Sequence, residues 1–91
     1  MQILLIEDNK GDVRLIQEMI SDLPDAPFEL IHAKDLSEGL QQLEQNNIQL
    51  ILLDLTLPDS MGLDTIDHAC ARAPGLPIVV LTGLEDESLA V

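Results

Sequence analysis

The 91-residue chain has no tryptophan, no tyrosine and a single phenylalanine. Its core must therefore be built from Leu, Ile, Val, Ala and Met. It has one cysteine, Cys70, which excludes an internal disulfide and fits a reducing compartment. Basic residues are scarce: four against 17 acidic ones, a formal net charge of −13. That balance argues against nucleic acid or an anionic membrane as a direct partner. The N-terminus lacks the basic flank and apolar stretch of a secretion signal. The apolar runs have strand length, far short of the roughly 20 residues that span a bilayer. A soluble, cytoplasmic protein is expected. What is present is 46% hydrophobic residues, enough for a core and too many for a disordered segment. The length predicts one domain over 1–91.

Short apolar runs alternate with amphipathic stretches. Met1 to Ile6 predicts a buried strand. From about Asp12 to Leu23, Val13, Ile16, Ile20 and Leu23 recur at helical spacing, and Pro24 is expected to end that helix. Phe28 to Ala33 predicts a second strand. Asp35 followed by Glu38 suggests a capping box opening a second helix, which closes near Asn46-Asn47. Ile48 to Leu53 predicts a third strand. A loop from Asp54 to Gly62 leads to a third helix, whose apolar face is expected to carry Leu63, Ile66, Cys70 and Ala73. Leu76 to Leu81 predicts a fourth strand, Thr82-Gly83 a turn, and Glu85 to Val91 the start of a fourth helix. Continuous apolar strands separated by helices predict an α/β fold with a parallel, doubly wound sheet covered on both faces.

In such sheets, ligands bind outside the carboxyl ends of the strands. Glu7 and Asp8 follow the first strand, Asp54 the third and Thr82 the fourth. A switch point between strands one and three would gather Glu7, Asp8 and Asp54. Two like charges ~4 Å apart cost roughly 4 kcal/mol at an effective dielectric of 20, so a proton or a cation must neutralise the group. All-oxygen ligands with room for water suit Mg²⁺. Asp54, at the tip of a buried strand, is expected to be exposed there. A carboxylate beside a metal suits attack on phosphorus, giving an acyl phosphate. The Thr82 hydroxyl could donate to the same phosphoryl group.

The segments "LLIEDN", "ILLDLTLPDSMGLD" and "PIVVLTG" resemble, in order and spacing, the response-regulator receiver domains of two-component signalling. The resemblance spans the whole chain. It implies a flavodoxin-like fold, with Asp54 as phosphoacceptor and Glu7 and Asp8 holding Mg²⁺. It further implies the backbone carbonyl of Thr56 as a metal ligand and Thr82 as a switch hydroxyl. The implied donor is a sensor histidine kinase or a histidine phosphotransfer protein. The chemistry would be self-catalysed phosphoryl transfer and dephosphorylation rather than classical enzyme turnover.

The family's sheet runs 2-1-3-4-5; this chain is expected to stop at 2-1-3-4, without the fifth strand, its lysine and the fifth helix. The domain is thus expected to be incomplete at its C-terminus. Strand four would then be an apolar edge, and edges invite pairing, so three outcomes are open: a homodimer through it, a swap, or a chain that is a piece of a longer receiver. The alternative function is a receiver-like binding or dimerisation module not regulated by phosphorylation, which the missing lysine favours and the intact acidic set disfavours. Of the remaining residues, Asp59 is expected to be a solvated turn residue. Gly62 is expected to supply a left-handed backbone angle. His32 and His68 are expected to have no chemical role, and Cys70 to lie in the core.

Overall fold

A computed structural model describes residues 1–23 and 28–81. The elements run β1 (Gln2–Ile6), α1 (Lys10–Ser21), β2 (Glu29–Ala33), α2 (Leu36–Gln45), β3 (Leu50–Asp54), β4 (Thr56–Leu57), β5 (Ser60–Met61), α3 (Leu63–Arg72) and β6 (Ile78–Leu81). The four longer strands form one parallel sheet in the order β2-β1-β3-β6. This is the expected 2-1-3-4 arrangement, with β6 as the fourth strand of the sheet. The short β4 and β5 pair antiparallel as a separate hairpin within the loop after β3. Pro24, Thr82 and the helix expected over Glu85 to Val91 lie outside the described residues.

The side-chain alternation of the central strands separates two apolar layers. Leu4 and Ile6 of β1 join Ile51 and Leu53 of β3, and this face is covered from α2 by Leu36 and from α3 by Ala69. Leu5 points the other way, onto Val13 and Ile16 of α1, with Leu52 packed against the same group. The sheet is therefore wound on both faces, as its apolar strands require. Gly39 of α2 lies directly over β1: a Cβ there would come within 2.8 Å of the Ile6 Cγ1.

Helix α1 begins at Lys10, three residues before the first apolar residue of its periodicity, Val13. Asn9 caps it, accepting from the Asp12 N–H at 3.0 Å, so the first turn is polar and invisible to an apolar count. It ends at Ser21, whose hydroxyl donates back to the Gln17 carbonyl at 2.8 Å. Asp35 caps α2 as expected, accepting from the Glu38 N–H at 2.8 Å.

Helix α3 bears out Ile66 and Ala73, which pack in the main apolar layer, and corrects Leu63 and Cys70. Thr65 and Ala69 are the residues fully buried against the sheet, while Cys70 is exposed and Leu63 is 74% exposed. Ala69 joins the main apolar layer, and the Thr65 hydroxyl is satisfied by Ser60 Oγ of the hairpin at 2.7 Å. Gly62, just before α3, has φ +69° and ψ −148°, a region open essentially to glycine alone. β6 is an edge of the described sheet, with Val79 47% exposed.

Candidate functional site

The strand order places the C-terminal ends of β1 and β3 side by side, with Ile6 opposite Leu53. The next residues on each strand, Glu7 and Asp54, are thereby neighbours. Glu7, Asp8 and Asp54 each offer a carboxylate oxygen, and these oxygens lie within 4.8 Å of one another. Three of the expected site residues are thus brought together.

Their surroundings differ from a solvated loop. Glu7 is 2% exposed and Asp54 6%, while Asp8 opens to solvent. The expectation of an exposed Asp54 is corrected: the strand runs through it, paired with Leu81 of β6, and its carboxyl lies below the surface. Burial pushes the Glu7 carboxyl up from 4.5 to about 8, and a side-chain hydrogen bond with Asp54 and the charges of Asp54 and Asp12 push the same way. The N–H of Asn9, donating to Glu7 Oε1 at 3.1 Å, opposes this. A proton on Glu7 relieves the like-charge cluster at neutral pH, which is the first of the two neutralising devices expected for it.

The two oxygens of Asp54 are not equivalent. Oδ1 accepts from the Thr56 N–H at 3.1 Å and from the Thr56 hydroxyl at 3.0 Å. Oδ2 is buried and meets no N–H or alcohol hydroxyl among the described residues; the Glu7 carboxyl, when it carries its proton, is the group that hydrogen-bonds with Asp54. Two carboxyls held this close need a shared proton or a cation between them. The donor set is all oxygen, with one ligand on the solvent side, and it fits a hard cation that keeps part of its water, such as Mg²⁺. Thr82 lies outside the described residues.

Several contacts had no local signal in the sequence. Thr56 was expected to matter through its backbone carbonyl; its side chain also grips Asp54. His32 donates from Nε2 to the Glu7 carbonyl at 2.7 Å, bracing the turn that carries Glu7 and Asp8. Glu7 extends the ladder beyond β1 through its N–H to the Ala33 carbonyl at 3.0 Å. Asp59 is an exposed turn residue, as expected, but it also reaches across to another helix. Its Oδ1 accepts from the Leu36 N–H and its Oδ2 from the Ser37 N–H, both at 2.9 Å, at the start of α2. Partial burial would raise its pKa, but these N–H groups outweigh that and hold the carboxyl below its ordinary value.

Comparison with known proteins agrees with this geometry. The family model "Response regulator receiver domain" matches residues 3–91. The swarming motility regulation protein RssB of Serratia marcescens is 35% identical over 82 residues, covering 90% of this chain and 36% of the relative. The chain spans about a third of the length of the curated relatives it matches. The phosphorylated cyanobacterial phytochrome response regulator RcpA superposes with a TM-score of 0.77 at 35% identity, covering 96% of this chain and 68% of that one. TrrA of Thermotoga maritima, solved in complex with Mg(2+)-BeF, shares the fold with a TM-score of 0.78 at 21% identity, over 99% of this chain and 76% of that one. A further structure sharing the fold holds TrrA in complex with the histidine kinase ThkA, with a TM-score of 0.76 at 23% identity, over 89% of this chain and 67% of that one. With the parallel 2-1-3-4 sheet and the acids gathered at its carboxyl edge, the match over residues 3–91 places this chain in the response regulator receiver domain family.

Proposed function

We propose that this chain is a phospho-accepting signalling switch. It takes a phosphoryl group onto Asp54 from a phosphohistidine of a sensor kinase or a phosphotransfer protein. The observation that carries this is the setting of Asp54: one oxygen held twice by Thr56, the other buried without an N–H or alcohol hydroxyl on it, in a carboxyl gathered with those of Glu7 and Asp8. Attack by Oδ2 forms a bond to phosphorus as the P–N bond of the donor breaks. The departing imidazole nitrogen keeps the bonding pair and takes up a proton. β3 fixes the attacking oxygen, and the burial of Asp54 limits competing water.

Glu7, Asp8, Asp54 and the Thr56 carbonyl are the proposed ligands of Mg²⁺. When bound, the ion supplies positive charge to the transferring phosphoryl oxygens. To serve as a ligand, Glu7 would give up the proton that its burial favours. Thr82 is proposed as the hydroxyl that donates to the phosphoryl group once it is on Asp54. The phosphorylated state of the relative RcpA and the kinase complex of TrrA support the donor class.

The test is intact mass after incubation with acetyl phosphate, with and without Mg²⁺, beside Asp54→Asn. Gain of one phosphoryl group that needs Mg²⁺ and is lost in the variant is the expected result. A chain that gains nothing under any condition sinks the phospho-accepting role and leaves the binding-module alternative.

A further inference from the structure

The loop after β3 is tied down at both ends. At its base, Thr56 donates twice to Asp54 Oδ1, and the Gly62 N–H reaches the Leu55 carbonyl at 2.7 Å. Two antiparallel pairs, Thr56 with Met61 and Leu57 with Ser60, run from there to the tip. Leu57 is buried in the main apolar layer. At the tip, Asp59 reaches across to α2 and takes the N–H groups of Leu36 and Ser37, one on each carboxylate oxygen.

Helix α2 already has its own cap in Asp35, which takes the Glu38 N–H. The first N–H groups of a helix lack intrahelical partners, and water can serve an exposed one such as that of Ser37. The second carboxylate is therefore worth more to the hairpin than to the helix. It converts a four-residue ribbon, too short to hold its own shape, into a strut between α2 and the Asp54 carboxyl. The favourable interaction of a carboxylate with a helix N-terminus fixes the strut's outer end.

We propose that Asp59 is a positioning residue for Asp54: by anchoring the hairpin tip to the start of α2, it holds Thr56 against Oδ1 and so keeps Oδ2 free. This inference rests on the metal and phosphoryl role proposed above, but its primary readout needs neither. Asp35→Ala is the matched control, because it removes a cap from the same helix end without touching the hairpin.

The experiment compares the intact chain with Asp59→Ala, Asp59→Asn and Asp35→Ala. Amide hydrogen exchange is followed by NMR in metal-free buffer, and Mg²⁺ affinity by calorimetry. Asp59→Ala is expected to speed exchange at the Thr56 and Leu57 amides about tenfold or more and to weaken Mg²⁺ binding severalfold. Asp59→Asn, which keeps one acceptor oxygen, should recover part of both. Asp35→Ala should speed exchange in the first turn of α2 and leave the hairpin amides and Mg²⁺ affinity within about twofold. Equal hairpin exchange in Asp59→Ala and Asp35→Ala would overturn the proposal, as would unchanged Mg²⁺ affinity in Asp59→Ala with a loosened hairpin. If Asp59→Ala does not fold, the Asp59→Asn and Asp35→Ala pair decides by the same two readouts. Absence of Mg²⁺ binding in the unaltered chain would instead refute the metal role, while the exchange comparison still judges the strut.

Discussion

Glu7 and Asp54 face each other in a buried setting, and their coupling has a definite sign. With the Glu7 pKa raised from 4.5 to about 8, the folded chain keeps a proton that the unfolded chain has lost between those values. The associated stabilisation is fully present below pH 4.5 and is lost as the pH rises through about 8. Urea midpoints of the metal-free chain should fall across that window, and Glu7→Gln should flatten the fall. A midpoint that climbs steadily over the same window would be incompatible with a protonated Glu7. Asp54→Asn should keep the fold. Above pH 8, where both carboxyls are charged, it should gain on the order of 1 kcal/mol without metal, by removing like-charge repulsion. A clear loss of stability there would contradict the clustered-carboxylate geometry. Glu7, Asp8 and Asp54 were legible because each falls at or just past the carboxyl end of an apolar run. The Thr56 grip, the His32 bond to Glu7 and the Asp59 cap were not. The last two join positions more than 20 residues apart, and no local pattern encodes them.

At the scale of elements, the strands were the most legible, because their apolar runs are short, continuous and bounded by acids or turns. The α2 cap was legible too, since Asp35 and Glu38 sit three apart. The buried face of α3 was legible in part: counting apolar residues finds Ile66 and Ala73, but it also selects the exposed Leu63 and Cys70 and passes over the buried Thr65 and Ala69. A buried threonine is acceptable only because Ser60 meets its hydroxyl, and that partner is revealed by the hairpin, not by periodicity. Close approach of α2 to β1 governs Gly39. Its replacement by alanine would favour the helix by about 1 kcal/mol in propensity, yet it drives a methyl into the fully buried Ile6. Overpacking of this kind costs about 1–3 kcal/mol, so Gly39→Ala should be net destabilising. A denaturation midpoint at or above that of the unaltered chain would show that α2 can lift off β1 freely.

For the whole molecule, the surplus of acidic residues and the cluster at the sheet edge act together. Net charge −13 makes the folded chain self-repelling and attracts divalent cations to its surface. A specific site must be separated from that general effect. At ten times its Kd, a ligand bound only by the folded state adds about 1.4 kcal/mol. For a domain of this size that raises Tm by roughly 6–11 °C. Mg²⁺ should produce such a rise in moderate salt, and Asp54→Asn should remove most of it. An equal rise in the variant would assign the effect to surface screening. The doubly wound architecture was legible from the order of elements alone, since parallel strands linked by helices leave few other arrangements. No described helix is long and apolar enough to cross a membrane.

The most direct single measurement is reductive trapping after phosphorylation by a small phosphodonor with Mg²⁺. Borohydride converts an aspartyl phosphate to homoserine, and peptide mapping then locates it. Homoserine at position 54 alone is the predicted result. Homoserine at another acid, or none in a chain that binds Mg²⁺ and stays folded, would refute Asp54 as the phosphoacceptor.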